Sequence, residues 1–421
     1  MDKKRLAAWA AFDWANSAVT TIVFTFVFAV YFARAVYGDE VAGSAAWAFA
    51  QGCAGVAVAV LSPLVGAAVD RHGPRKPALK IFTILSILLT AALYFIEPAR
   101  GYVMPALIGG GVLSVAYELV QNIYGSTLPL VAPPGKIGLV SGIGWGAGYV
   151  GSILSLGIAL VFFIGFGDGT GLFGLGKDHA LNVRATMLLA ALWFAVFATP
   201  FFVLCPDAPR SGFDWRESVS AGVRGIAATL RDAWRVPGLI RFLVGAAIYR
   251  DGLVTLFAVG GLYAAGALGM SFSQVMMFAI AMNVASGLGA ITLAFWDDRV
   301  GSRRMVMLCL IAMAGLGVGI IATHDKTVFI ALACLLGLFI GPVQAASRAM
   351  LVRLSPPEHL GAFFGLYAMT GKSVAFMGPF AFAALTALFH SQRAGMASII
   401  GFWLVGLLVV YSLRPPHERA S

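Results

Sequence analysis

Long apolar stretches with short polar connections between them occupy nearly the whole chain. A stretch of about 20 predominantly apolar residues is long enough to cross a bilayer as an α-helix. The pattern therefore predicts an all-α membrane protein with twelve transmembrane helices in two pseudo-symmetric six-helix bundles. The predicted spans are 8–36, 45–69, 78–96, 102–127, 138–164, 185–204, 239–263, 273–294, 305–323, 328–351, 360–389 and 395–413.

The composition excludes an ordinary soluble protein. Of the 421 residues, 60% are hydrophobic and 11% are charged, whereas an average soluble domain carries about 25% charged residues. The net charge of +10 would suggest nucleic-acid binding in a soluble protein, but here the basic residues lie in short loops between apolar spans. We therefore expect a lipid bilayer and no nucleic acid among the partners.

The distribution of Lys and Arg predicts the orientation. With the N-terminus inside, the cytoplasmic segments hold 21 of the 29 basic residues and the outer side holds six. The remaining two, Arg250 and Lys372, fall within spans. Because cytoplasmic loops carry an excess of Lys and Arg, we predict a multi-pass protein of the bacterial inner membrane with both termini in the cytoplasm.

The sequence also repeats itself. The loop DRHGPRK (Asp70–Lys76) returns as DRVGSRR (Asp298–Arg304), at an offset of 228 residues. A second match, at an offset of 223, relates Gln121, Pro133, Pro134, Gly138 and Gly142 to Gln344, Pro356, Pro357, Gly361 and Gly365. Two matches at nearly equal offsets predict duplicated halves, an architecture known among transporters.

A polar segment separates the two predicted halves. We assign 1–204 and 239–421 to the six-helix bundles and 205–238 to a cytoplasmic linker. Apolar residues recur in the linker at helical spacing, and four arginines (216, 224, 231 and 235) lie off that stripe. This predicts an amphipathic helix on the inner leaflet with its arginines near anionic headgroups. The stripe consists of Val219, Val223, Ile226, Leu230 and Trp234.

Polar and charged residues inside the predicted spans are the candidates for function, because a charge inside a membrane helix is costly. Arg250 and Asp251 are adjacent on helix 7 and should point about 100° apart, towards different partners. Helices 1 and 4 carry polar residues at spacings of three and four, which place them on one face. The candidate substrate-binding residues are Asp13, Asn16, Glu118, Gln121, Asn122, Arg250, Asp251, Gln344 and Lys372. The alternative is a set of structural ion pairs that lock helices together.

The repeated loops suggest a different role. A carboxylate at Asp70, after helix 2, can lie at the positive N-terminal end of a neighbouring helix. The predicted gating residues are Asp70, Arg71, Arg75, Asp298, Arg299 and Arg303. The alternative is that these charges only orient the chain, which accounts for the basic residues but not for two aspartates at matching places.

No motif indicates an enzyme, a cofactor or a metal site. Gly146, Gly148 and Gly151 spell G-x-G-x-x-G, but the nucleotide-binding version needs a preceding strand. They lie in the middle of a predicted membrane helix, where small residues allow close helix packing. The four cysteines form no C-x-x-C pair.

Several stretches resemble a known family. The D-R-x-G-x-[RK]-[RK] loops, with Gly66 four residues before Asp70, resemble the signature of the major facilitator superfamily. The stretches DWANSA (13–18), SGIGWGAGYVGS (141–152) and YRDG (249–252) resemble its "unknown major facilitator" branch, which is related to the autophagy-linked vacuolar effluxers of fungi. The resemblance implies that helices 1, 4, 7 and 10 line a central cavity, that Asp70 contacts helix 11, and that neutral amino acids are exported.

We therefore expect a secondary active or facilitative transporter that works as a monomer by alternating access. Its substrate would be a small polar molecule, with Arg250 or Lys372 holding a carboxylate and an acidic residue holding an amine. Helix 4 reads E-L-V-Q-N (118–122) where many proton-coupled members have R-x-x-Q-G, so proton coupling and facilitated diffusion both stay open. A lipid flippase on the same fold and a non-transporting sensor or scaffold are the alternatives.

Overall fold

The computed structural model describes residues 2–133, 135–165, 170–209, 226–270 and 272–413, and the regular structure within them is helical. The α-helices are α1 (Lys3–Ala18), α2 (Phe28–Tyr31), α3 (Glu40–His72), α4 (Lys76–Ala92), α5 (Val103–Ser126), α6 (Leu128–Val131), α7 (Ile137–Ile158), α8 (Leu181–Leu204), α9 (Ile226–Arg235), α10 (Leu239–Leu268), α11 (Phe272–Val300), α12 (Ser302–Ala322), α13 (Lys326–Leu354), α14 (Leu360–Val374), α15 (Met377–Phe389) and α16 (Gln392–Tyr411). Val19–Phe26, Phe32–Val36 and Ala159–Ile164 are π-helical, and Leu93–Phe95, Arg100–Tyr102, Asp178–Ala180 and Pro357–His359 are 3₁₀ turns.

Within the described residues, ten helices are long and apolar enough to cross a membrane. Large apolar side chains on them are exposed, among them Phe49 and Val203, as expected for surfaces that lipid covers. The two other predicted spans coincide with α10 and with the pair α14–α15. The multi-pass helical architecture is confirmed, whereas the count of twelve spans stays a prediction.

The predicted eleventh span, 360–389, is not one continuous helix. It breaks between Val374, the last residue of α14, and Met377, the first of α15. Pro379 lies in the first turn of α15. Proline has no N–H to donate to the carbonyl four residues earlier, which here belongs to Ala375, and its ring clashes with that group. The break therefore follows from Pro379.

The chain forms two compact units. Unit 1 consists of the described parts of Met1–Leu61, Gly73–Val131 and Ala147–Pro209. Its core lies where α1, α5 and α8 meet around Phe12. The ring of Phe12 lies 4.7 Å from that of Tyr124 and 5.1 Å from that of Phe201, centroid to centroid. Rings of this size bury large apolar areas at such distances.

Unit 2 contains the described part of 210–421 together with Ser62–His72 and Ala132–Gly146. The end of α3 and the beginning of α7 thus pack within unit 2. In its core, the buried Tyr249 hydroxyl of α10 lies 2.6 Å from the Ser347 hydroxyl of α13. The division of the chain into two repeats and a linker, with boundaries at 204 and 239, stays a prediction.

The linker was predicted to contain an amphipathic helix, and α9 lies in its second half. Thr229 and Ala233 form its buried side, whereas Trp234 of the predicted apolar stripe is 72% exposed. The part of the stripe before Ile226, including Val219 and Val223, falls outside the described residues. The inner-leaflet location stays a prediction.

Candidate functional site

Unit 1 holds a hydrogen-bonded polar network between α1 and α5. The amides of Asn16 and Gln121 pair reciprocally, each of the two bonds 3.3 Å long. The Tyr117 hydroxyl donates to Asn16 Oδ1 at 3.1 Å and accepts from Gln121 Nε2 at 2.8 Å. Thr20, in the π-helical segment after α1, lies 2.7 Å from the same hydroxyl. Sequence reasoning found the two amides but missed Tyr117, because an aromatic residue at helical spacing is usually part of the core.

Asp13 belongs to the same face of α1. It is 8% exposed, and the Tyr124 hydroxyl donates to its Oδ2 at 3.0 Å. The same hydroxyl lies 2.9 Å from the carbonyl oxygen of Trp9. Glu118 and Asn122 lie one turn apart on α5, half-buried and buried respectively. Unit 1 therefore brings Asp13, Asn16 and Gln121 to the α1–α5 contact, as the spacing predicted.

The charged pair on α10 diverges, as predicted. The guanidinium of Arg250 lies over the Tyr367 ring of α14, 4.2 Å from its centroid. Among the described residues no carboxamide or carboxylate pairs with this guanidinium, and its Nη1 is buried without a hydrogen bond. Lys372, half-buried, follows Tyr367 on the same helix. Unit 2 therefore places the Arg250 cation against an aromatic ring between α10 and α14, and α14 carries a second cation, Lys372.

Asp251 points to the helix break. It is 3% exposed, and its Oδ2 accepts a 2.7 Å hydrogen bond from the backbone N–H of Gly378, in the first turn of α15. Its Oδ1 and the Thr255 hydroxyl, one turn further along α10, are buried and make no hydrogen bond to any described residue. A methyl group at position 378 would overlap the Thr255 hydroxyl, so only glycine allows this approach.

On α13, the predicted substrate-binding residue Gln344 bonds to its own helix, and Arg348 bonds to α7. Gln344 Nε2 donates to the Ile340 carbonyl of its own helix at 3.3 Å. Arg348 is 9% exposed and holds the start of α7, donating from Nε to Ser141 Oγ at 2.9 Å and from Nη2 to Ser141 O at 2.7 Å. In this conformation Arg348 therefore connects α13 to α7.

Both loop aspartates bind the N-terminus of a helix. Asp70 accepts from the backbone N–H groups of Gly361 at 2.9 Å and Ala362 at 2.8 Å, in the first turn of α14. The predicted contact of Asp70 with helix 11 is confirmed. Helix N-termini expose N–H groups that lack intrahelical partners, and a carboxylate there is stabilised by the helix dipole.

Asp298 makes the equivalent contact. It accepts from Gly138 N and Leu139 N, both at 2.8 Å, in the first turn of α7. Gly138 and Gly361 are equivalent positions of the second sequence match, and Asp70 and Asp298 of the first. Each aspartate therefore caps a helix that begins in the opposite repeat. We call these two contacts the exchanged caps.

The exchanged caps differ in one respect that sequence reasoning missed. Arg353, at the end of α13, donates to Asp297 Oδ2 at 2.9 Å and to Asp298 Oδ1 at 2.6 Å. Asp297 is 2% exposed and also accepts from Ser302 Oγ at 3.0 Å. At the two offsets, Asp297 and Arg353 correspond to Val69 and Leu130. The second cap thus carries an ion-pair network where the first has apolar residues.

The remaining predicted gating residues lie near these helix ends. In unit 1, Arg75 is buried and its Nε donates to Ser126 Oγ at 3.0 Å. In unit 2, Arg303 donates to the Tyr411 carbonyl at 2.7 Å. Arg71 and Arg299 are exposed.

A further carboxylate cap lies in unit 1. Asp207, just after α8, accepts from Arg75 N at 2.7 Å and Lys76 N at 3.2 Å, where α4 begins. Its neighbour Cys205 is 3% exposed. Burial raises the pKa of the Cys205 thiol to about 11, so the thiol stays protonated at neutral pH.

Comparison with known families decides the assignment. Residues 32–420 match the family described as vacuole effluxer Atg22 like. The chain belongs to this family. The Atg22-like chain is 23% identical over 427 residues to the uncharacterized MFS-type transporter YxiO of Bacillus subtilis, covering 99% of this chain and 96% of that protein.

A fungal relative and a solved structure agree with this. Autophagy-related protein 22 of Cryptococcus neoformans is 26% identical over 280 residues, which are 61% of this chain and 49% of that protein. The chain thus spans about half the length of that fungal relative. The fucose:proton symporter FucP of E. coli superposes with a TM-score of 0.70 at 12% identity, covering 97% of both chains. The Atg22-like chain is a membrane transporter with the major facilitator fold, not an enzyme.

Proposed function

We propose that this Atg22-like protein moves a neutral amino acid across a bacterial inner membrane by alternating access, with both termini in the cytoplasm. The exchanged caps are the observation that carries the proposal. Each cap joins the end of one helix to the start of another through two backbone hydrogen bonds to a charged oxygen pair. Contacts of this kind form or break as a unit.

The exchanged caps supply the two-state element that alternating access needs. When Asp70 leaves the first turn of α14, and Asp298 that of α7, the segments Ser62–His72 and Ala132–Gly146 are released from the rest of unit 2. Charge-assisted hydrogen bonds are worth about 1.5–3 kcal/mol each. Four of them stabilise the observed conformation. Transport would therefore require a second conformation whose own contacts compensate for their loss. The gating set is completed by Arg71, Arg75, Arg299 and Arg303.

The candidate substrate-binding residues of each unit are the polar groups within its helices. Arg250 or Lys372 holds the substrate carboxylate, and an acidic residue of the candidate set holds its amine. The amides of Asn16, Gln121, Asn122 and Gln344 line the remaining polar surface. Arg250 supports this role because Nη1 has no hydrogen-bond acceptor among the described residues, so a substrate carboxylate would supply one. Buried charges are rarely left without such a partner.

Counterflow of labelled leucine in proteoliposomes tests the function. Wild-type protein should exchange leucine, and unlabelled neutral amino acids should compete. Arg250→Ala should lower the exchange by at least about tenfold, because a charge-assisted hydrogen bond of about 1.5–3 kcal/mol is lost. Arg235→Ala, at an exposed arginine 3.7 Å from Asp232, is the matched control and should exchange normally.

Absence of leucine exchange in the wild type would remove the amino-acid assignment. Normal exchange by Arg250→Ala would instead remove Arg250 from the substrate site.

A further inference from the structure

The helix break in unit 2 contains polar groups that the proposed substrate site does not use. Asp251, with one carboxylate oxygen bound to Gly378 N–H, leaves the other oxygen buried and without a hydrogen bond among the described residues. Thr255 lies one turn along the same face of α10 and is fully buried. Its hydroxyl is likewise without a partner in the described part of the chain. A buried polar group without a hydrogen bond destabilises the fold.

The half-paired state of Asp251 contrasts with the other carboxylates at helix starts. Asp70, Asp298 and Asp207 each accept two backbone N–H groups. Two bonds and the helix dipole suit a permanent negative charge. Asp251 receives one bond, because Pro379, the residue after Gly378, has no N–H. The site therefore stabilises a full charge less than the three other caps do.

The adjacent charges do not neutralise Asp251. Arg250 turns to the Tyr367 ring, and Asp251 makes no ion pair with a described residue within 4.0 Å. Two sets of ionisable groups lie on elements packed against α10. Tyr249, Arg250, Tyr367 and Lys372 lie in the middle of α10 and on α14. Helix α15 carries no ionisable residue. The second set lies elsewhere on α10 and on the other helices packed against it, and consists of Arg241, Tyr263, Arg393, Tyr411, Lys326, Cys334, Arg348, Arg353, Asp297, Asp298, Arg299, Arg231, Asp232 and Arg235.

From this geometry we infer that Asp251 is a proton-binding site at the helix break, which makes protons the coupling ion. A hydronium ion gives its proton to Oδ1 and leaves as water, and the carboxylate loses its charge. Oδ2 keeps its bond to Gly378 N–H. The new O–H group can then donate to the Thr255 hydroxyl, which satisfies both unpartnered groups at once. The coupling role rests on the proposed transport function, whereas proton binding itself does not.

Infrared difference spectra of the purified protein test proton binding without any substrate. A carboxylic C=O band should appear between about pH 9 and about pH 5, the range in which buried carboxyl groups titrate. Part of this band should be missing in Asp251→Asn, which keeps an oxygen acceptor for Gly378 N–H. It should persist in the control Asp325→Asn, an exposed carboxylate that accepts Thr327 N and Val328 N at 2.8 and 2.9 Å.

A band of unchanged intensity in Asp251→Asn, or no band in the wild type, would overturn the inference. Should the asparagine variant fail to fold, Asp251→Glu moves the carboxyl by one methylene, and the band must then change frequency. An unchanged band would overturn the inference as well.

The transport arm uses labelled leucine in the same proteoliposomes. Asp251→Asn should lower leucine accumulation driven by a pH gradient by a much larger factor than it lowers counterflow, because only the first process needs the bound proton. Gradient-driven accumulation lowered no more than counterflow in Asp251→Asn would contradict the coupling role. If the wild type moves no leucine, the infrared result still decides proton binding.

Discussion

The Asp70 cap can be weakened by a single isosteric change. In Asp70→Asn the charge is lost, and one of the two bonds to Gly361 and Ala362, at 2.9 and 2.8 Å, loses its acceptor. A hydrogen bond to a charged group contributes about 1.5–3 kcal/mol. Since each 1.4 kcal/mol is a factor of ten, opening of the first turn of α14 should become about 10- to 150-fold more frequent.

Hydrogen exchange measured by mass spectrometry reads this opening directly. Amides in a peptide that covers the start of α14 should exchange faster in Asp70→Asn by that factor, because exchange follows local opening. Asp325→Ala, which removes the side-chain cap of α13, should leave that peptide unchanged and accelerate exchange at the start of α13 instead. Unchanged exchange at α14 in Asp70→Asn would refute the view that this cap stabilises the observed conformation.

Three further predictions concern other contacts. Arg353→Met should lower the free energy of unfolding by about 3–5 kcal/mol, because it leaves buried carboxylates without their ion-pair partner. In a thermal melt, the double variant Asp297→Val with Arg353→Leu should recover most of that loss. No recovery would count against the ion-pair account. Gly378→Ala should cost about 1–3 kcal/mol through overlap with the Thr255 hydroxyl, and an unchanged melting temperature would argue against that close approach. Burial raises the pKa of the Cys205 thiol to about 11, so the thiol becomes a thiolate only near that pH. At about pH 8, maleimide should therefore label Cys205 roughly 100-fold more slowly than an unperturbed thiol. Mass spectrometry measures the labelling rate, and rapid labelling of the folded protein would contradict the prediction.

The length of the apolar runs was sufficient to locate ten membrane-crossing helices within the described residues, because a membrane span needs a long apolar run whatever its neighbours are. Helical spacing placed Asn16 and Gln121 on polar faces and separated Arg250 from Asp251. The repeat identified Asp70 and Asp298 as equivalent. The assignment of faces depends on local spacing and the equivalence of the aspartates on the repeat, and the contacts confirm both.

The partners of those residues could not be predicted from spacing. Tyr117 and Gly378 are conspicuous only once a neighbouring helix is in place, since each belongs to a residue type that is common in membrane helices. The break before α15 had a local signal in Pro379, but prolines are tolerated within membrane helices. Pro342, inside α13, is an example of that tolerance.

The exchanged caps also impose an order on biosynthesis. Asp70 and the amide of Gly361 are 291 residues apart in the chain. At a synthesis rate of about 5–20 residues per second, that separation corresponds to about 15–60 s. The first half must therefore persist in the membrane for that time with Asp70 lacking its observed partner. Expression of the two halves as separate chains should consequently succeed only when both are made together.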